Sequence, residues 1–218
     1  HWELFPSAIQ SSTSALTLAP RKFGEPSVNP FFSRSTLEYE LPDFASIKED
    51  HYKEAFYEGT KEQLVEVDAI IASGEPTFEN TIVALEKSGR TLTRVLLVFY
   101  NKSSSDTNDN LDAIEEEIAP KLSAHQDAIT LNPALFGRIK TLHEKKGSLA
   151  LSSEDSWLLD KYYRDFVYAG AHLTQDQREE LSKLNERLSF LETQFSKNLL
   201  ADTNDSALIV DTKEELAG

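Results

Sequence analysis

The stretch Pro76–Asn108, PTFENTIVALEKSGRTLTRVLLVFYNKSSSDTN, carries the reading of the fold. Phe78, Ile82, Leu85, Leu92, Leu96 and Phe99 recur at spacings of three and four, with seven across Gly89. An α-helix completes a turn in about 3.6 residues, so this spacing puts all six side chains on one face. Thr77 can cap the first turn, with Glu79 and Asn80 following inside it. One long helix is therefore expected, notched at Gly89 and closed by the polar loop Ser103–Asn108. A glycine in a solvated helix costs about 1 kcal/mol against alanine. Gly89 is therefore expected to mark the close approach of a neighbouring helix.

Helices are expected on both sides of this one. Upstream, the spacing predicts a helix over Asp43–Ser73 with the stripe Tyr52, Phe56, Leu64, Val67 and Ile71, stopped by Gly74 and Pro76. Downstream, Leu111, Ile114, Ile118, Leu122, His125 and Ile129 mark a third helix, which Pro120 should kink or divide. Asn132 and Pro133 open a fourth with Leu135, Ile139 and Leu142 inside, ended by Gly147. Ser152 with Asp155 opens a fifth carrying Trp157, Leu158, Tyr162 and Phe166, ending near Gly170. Thr174 and Gln177 form a capping box for the sixth, whose Leu181, Leu184, Leu188, Leu191 and Phe195 alternate in threes and fours. That last stripe reads as the inner face of a long hairpin helix in a bundle. Ala207–Val210 is a short β-type run that needs partner strands. The expected fold class is all-α, a bundle of about six helices with an extended N-terminal arm and a short C-terminal strand. Residues 1–30 form the arm, in which Trp2, Phe5 and Phe23 could wrap the bundle; 31–201 form the helical domain, and 202–218 a strand and the start of a following element.

Composition narrows the class of function. With 27% charged and 39% hydrophobic residues the chain is globular and long enough to bury a core. A net charge of −15 argues against nucleic acid or anionic membranes as partners and suits a solubilising surface. The absence of cysteine excludes disulfides and thiolate metal sites. No apolar run approaches the length of a membrane span, and Ala15–Ala19 is too short for a signal core. With no methionine even at position 1, the first residue is expected to follow a processing or trimming step.

Candidate chemistry is sparse. None of His1, His51, His125, His143 and His172 stands at a helical metal-ligand spacing from another. His143-Glu144-Lys145-Lys146-Gly147 begins like the zinc motif His-Glu-x-x-His, but its fifth position is glycine, and His51–Ala55 fails in the same way. Glu115–Glu117 and the acidic run Asp106–Asp112 suit the start of a helix and lack the glycine and terminal glutamate of a calcium loop. Ser103–Ser105 have no nucleophile-elbow setting, and no phosphate-binding glycine loop occurs. No catalytic residue and no metal ligand is therefore assigned within this chain, and no substrate-binding residue is identified.

Several blocks together resemble the M3 family of zinc oligopeptidases, and most closely its bacterial peptidyl-dipeptidase branch. They are Asn29-Pro30-Phe31, Ser35-Thr36-Leu37, His51-Tyr52 with Ala55-Phe56 and Glu58-Gly59, Asn80-Thr81-Ile82 with Ala84-Leu85-Glu86, Ser88-Gly89 and Leu92-Thr93-Arg94-Val95. They continue with Thr107-Asn108-Asp109, Phe166-Val167, Ala169-Gly170-Ala171, Leu199-Leu200-Ala201 and Leu216-Ala217-Gly218. The resemblance implies the N-terminal helical region of a peptidase whose zinc ligands and catalytic glutamate lie beyond this chain. It implies short peptides as substrates, release of C-terminal dipeptides, and a cytoplasmic enzyme, or an exported one with a signal removed upstream of His1. This piece alone is expected to be inactive, to pack against the missing catalytic half, and to self-associate through an exposed apolar face. An endo-acting member of the family and a stand-alone helical interaction protein remain as alternatives.

Overall fold

The structure is a computed structural model, and it describes residues 29–206 together with 210 and 212. The arm's residues 1–28 and residues 207–209 of the expected strand lie outside the described residues; among those described there is no strand. Six helices of twelve residues or more form the bundle, as the spacing predicts. These are α1 (Glu49–Ala72), α3 (Arg90–Ser105), α4 (Asp109–Thr130), α5 (Pro133–Glu144), α6 (Ser153–Ala169) and α7 (Gln175–Asp205); a short α2 (Ala84–Lys87) precedes α3.

Helix α1 is the spine, with one apolar core at each end. At its N-terminal end, Tyr52, Ala55 and Phe56 pack with Phe31, with Leu92, Val95, Val98 and Phe99 of α3, and with Leu111, Ile114 and Ile118 of α4. At its C-terminal end, Val67 and Ile70 pack with Phe78, Ile82 and Leu85, with Leu135, Phe136, Ile139 and Leu142 of α5, and with Leu159 and Phe166 of α6. Leu64 is exposed and Ile70 holds the buried place, with Ile71 only partly covered. The helix starts at Glu49 and not at Asp43, because Asp43 closes a turn of its own: its carbonyl takes the amides of Ser46 and Ile47 at 3.0 and 3.2 Å.

The expected single helix over Pro76–Asn108 is broken. Thr77 does cap its first part: Thr77 Oγ1 accepts the Asn80 amide at 3.1 Å and Asn80 Oδ1 the Thr77 amide at 2.8 Å. A π-helical turn, Glu79–Val83, and α2 follow; Ser88 is then extended (ψ 159°) and Gly89 left-handed at φ +68°. The Gly89 amide donates to Glu66 Oε2 of α1 at 2.7 Å, which fixes the joint. Periodicity could not reveal the break, because Phe78, Ile82 and Leu85 serve one core while Leu92 and Phe99 serve the other. Gly89 does lie against the neighbouring helix, since a Cβ there would run into Gln63 Nε2 of α1, and Gly59 of α1 admits the backbone of α3: a Cβ there would lie 2.8 Å from the Leu92 nitrogen. Ser103–Ser105 belong to the last turn of α3 and not to a loop; Ser104 and Ser105 donate to the carbonyls of Tyr100 and Asn101, both at 2.6 Å.

The remaining caps follow the sequence. Asn108 Oδ1 accepts two amides at the start of α4, Asn132 Oδ1 two at α5, and Ser152 Oγ the Asp155 amide at α6. Thr174 and Gln177 form their capping box at α7, and Gly170 ends α6 at φ +99°. Helix α4 runs through Pro120 as one element. On α6, Leu159 takes the fully buried position, and Trp157 is 60% exposed.

The junction between the end of α1 and the π-helical turn Glu79–Val83 is held by a side chain that the apolar spacing gives no reason to place inside. Arg138 of α5 is buried and donates to Gly74 O at 2.6 Å and Ile71 O at 3.4 Å from Nη1. Its Nη2 reaches Ser73 Oγ and Asn80 Oδ1, both at 2.8 Å, and Thr81 Oγ1 at 3.1 Å. Every acceptor is neutral; burial lowers the guanidinium's pKa, opposed by Glu75. The carbonyl end of α1 supplies the compensating negative potential.

Candidate functional site

The titratable residues singled out by sequence are taken up by packing. His51 Nδ1 accepts the Lys48 amide at 3.0 Å, and its carbonyl accepts from Asn29 Nδ2 at 2.9 Å, so it closes the start of α1 against residue 29. Tyr52 lies between Phe31 and Phe99 with ring centroids 5.6 and 5.3 Å away. His143 stacks on Tyr163 at 3.9 Å and places Nε2 3.4 Å from Asp160 Oδ1. Gly147 sits in the following 3-10 turn and has no side chain to offer a metal. His172 is exposed, and His1 lies outside the described residues. Among the described residues no three histidine, aspartate or glutamate side chains converge as metal ligands. The described residues therefore offer no ligand set for a zinc ion of the His-Glu-x-x-His type.

The acidic runs tie helices together. Glu117 accepts from the Tyr57 hydroxyl at 2.6 Å and pairs with Lys53 and Lys121, and these donors hold its carboxyl down at about 2. Glu116 meets Lys197 of α7 at 2.6 Å. Half-buried Glu115 is pushed up by burial and by Asp112, against the lowering effect of Ser103. Asn108 and Asn110 donate to Glu49, which joins the starts of α4 and α1.

Of the buried polar groups among the described residues, His125 is the exception. Its Nε2 lies 2.8 Å from Gln63 Oε1, while Nδ1 is buried with no hydrogen-bond partner. Burial lowers its pKa from 6.5. A histidine with a depressed folded pKa contributes stability above its unfolded pKa, and loses it as pH falls toward the folded one. The melting temperature should therefore fall as pH drops below about 6.5, the ordinary value that the unfolded chain keeps. His125→Gln should flatten that segment of the profile in thermal melts; an unchanged slope would remove His125 as its cause.

One surface has no such internal account. Helix α7 lies on α4 through its polar side: Asn185 Nδ2 donates to both Asp127 oxygens at 2.9 and 3.1 Å, and Lys197 pairs with Glu116. Ser189 and Thr193, in register with them, are half-buried. Of the stripe expected to face the bundle, Leu181 is half-buried against Gly170, and the rest is exposed. Leu184 and Phe195 are 60% and 68% exposed, and Leu188, Leu191, Leu199 and Leu200 are exposed too. An amphipathic helix with its apolar side outward presents a large exposed patch, which is the signature of an interaction surface. Among the described residues no helix is long and apolar enough to cross a membrane.

No protein-family model matches the chain. By sequence it is a relative of peptidases. It is 39% identical over 193 residues to a dipeptidyl carboxypeptidase of Salmonella typhimurium, an alignment covering 88% of this chain and 28% of that protein. The dipeptidyl carboxypeptidase of Escherichia coli is 38% identical over 192 residues, with the same coverage of 88% and 28%. Oligopeptidase A of Salmonella typhimurium is more distant, 24% identical over 181 residues, covering 83% of this chain and 27% of the relative. The resemblance to the peptidyl-dipeptidase branch is thus borne out. The chain spans less than a third of the length of the curated relatives it matches.

Proposed function

We propose that this chain is the helical, N-terminal, access-restricting part of a zinc metallopeptidase that hydrolyses short peptides and releases C-terminal dipeptides. The likeness to two dipeptidyl carboxypeptidases along 88% of the chain carries the reading. The weaker likeness to oligopeptidase A keeps an endo-acting enzyme as the second reading, and the gap between 39% and 24% identity favours the first.

In this reading the bundle acts sterically. Its helices wall one side of a channel, keep folded proteins out, and on closing against the catalytic half exclude water and help hold the peptide. The outward stripe of α7 supports this, since it offers the apolar seam that such packing needs. A second copy of the isolated chain would compete for the same seam. The zinc belongs to the remainder of the protein, where it would polarise the scissile carbonyl and activate water. On this reading the enzyme works in the cytoplasm, with export as the alternative.

The test compares this chain with the longer gene product on an N-acetylated tripeptide, with products read by mass spectrometry. The longer form should release the C-terminal dipeptide and lose activity to a chelator, while the 218-residue chain releases none. Cleavage by the chain alone, or a native product of only 24.5 kDa, would overturn the proposal.

A further inference from the structure

Two departures from local rules meet at one cleft. Tyr39 and Glu40 are consecutive non-glycine residues with left-handed backbones, at φ +57° and +58°. Such residues each cost about 1 kcal/mol or more and persist where the surroundings hold them. Here Ser35 Oγ donates to Leu41 O at 2.6 Å, Arg34 pairs with Glu40, and Arg94 Nη1 donates to Phe31 O and Ser33 O at 2.6 and 3.0 Å. The resulting rigid turn swings Tyr39 out until it is 88% exposed.

The second departure is Arg90, the first residue of the sixteen-residue α3. A cation is unfavourable at the positive end of a helix dipole. No acidic residue stands in that first turn, and its cap is Gly89, which offers no side-chain acceptor. Arg90 makes no ion pair among the described residues.

Between turn and helix lies an open cleft of about 630 Å³. Arg90, Arg94 and Leu97 line it from successive turns of α3, and Tyr39, Leu41 and Pro42 line it from the turn. Leu97 is 69% exposed, on the side of α3 away from its core stripe. Two carboxylates also line the cleft: Glu40, whose pKa is lowered by its pairing with Arg34 and also by Arg94 and Arg90, and Glu86, which keeps its charge while accepting the Tyr162 hydroxyl at 2.7 Å. Arg34, Arg90 and Arg94 against these two carboxylates leave one guanidinium in excess beside an apolar floor, in a chain of net charge −15.

We propose that this cleft binds the carboxylate of a short peptide that carries an apolar side chain next to it. Guanidinium groups take a carboxylate through paired N–H donors, the uncapped first turn of α3 adds positive potential, and Leu41, Leu97 and Tyr39 take the neighbouring side chain. The choice of a peptide rests on the peptidase reading above. The charge pattern itself requires only an amphipathic carboxylate, from a chain terminus or from an acidic side chain.

The test titrates the isotope-labelled chain with N-acetyl-Leu-Phe, its C-terminal amide, and N-acetyl-Asp-Phe amide, following backbone amide shifts by NMR. The free acid should give saturable shifts centred on residues 39–42 and 90–97. The uncharged amide should bind about tenfold more weakly, as should the free acid to Arg90→Glu. Leu97→Ser should weaken all three ligands, and salt should weaken the free acid. Arg90 and Leu97 are exposed, so both variants keep the fold. The N-acetyl-Asp-Phe amide separates a side-chain from a terminal carboxylate; binding of either anion above the neutral amide supports the site. Equal binding of acid and neutral amide, indifference to Arg90→Glu, or no shift up to about 10 mM would overturn it. Peptide release by the longer gene product is read separately, so loss of this site leaves the peptidase reading standing.

Discussion

Arg138→Met should destabilise the fold by about 3–5 kcal/mol, measured by urea unfolding at neutral pH. Methionine fills much of the same volume, so the loss isolates the guanidinium. Five oxygens from Ile71, Ser73, Gly74, Asn80 and Thr81 lose the guanidinium; Asn80 Oδ1 keeps the Thr77 amide, and Thr81 is fully buried. A buried acceptor left without a partner costs about 1–3 kcal/mol, and solvent reaching the outer ones limits the sum. The expected fall in melting temperature is about 10 °C for a chain of this size. Arg138→Lys should recover less than half, because an ammonium cannot span acceptors from two directions. A change below about 1 kcal/mol in the methionine variant would mean that the turn after α1 is held by the apolar core alone.

That residue also marks what spacing can and cannot tell. The caps at Thr77, Asn132, Ser152 and Thr174 were readable because each depends on side-chain chemistry within three residues of a helix start. The six helices were readable because each apolar stripe is long. Arg138 was not, since it stands on α5 between Leu135 and Ile139 and its acceptors lie 57 to 67 residues away in sequence. The break at Gly89 was hidden because two cores on one spine impose the same period on both sides of it. On α7 the stripe says which residues share a face, and nothing in it says which face meets α4. There the decision falls to Asn185 with Asp127 and Lys197 with Glu116, pairs visible only once the helices are together. The lack of a complete zinc motif was readable directly, from Gly147 where a second histidine would be needed. The cleft at Arg90 and Leu97 was not, because it joins the outer face of α3 to a turn whose left-handed residues, Tyr39 and Glu40, are not glycines.

Two helical glycines give the sharpest contrast between propensity and packing. By propensity alone, Gly→Ala inside a helix should stabilise by about 1 kcal/mol wherever it occurs. Gly137 on the exposed side of α5 has nothing within 4 Å of an added Cβ, so Gly137→Ala should show that gain. At Gly59 the added carbon would lie 2.8 Å from the nitrogen and 2.9 Å from the Cα of Leu92. Those are backbone atoms of α3 and cannot rotate aside. The two helices must separate, and Tyr52, Phe56, Val95 and Phe99, which fill the seam, lose contact together. Gly59→Ala should therefore destabilise by about 2 kcal/mol after its propensity gain is counted, and Gly59→Val by more, since its branched side chain crowds the same seam. Urea midpoints for the two alanine variants should move in opposite directions. If Gly59→Ala were stabilising, α1 and α3 would not be in backbone contact, and the core that fixes the Arg94 anchor of the 33–42 turn would need another origin.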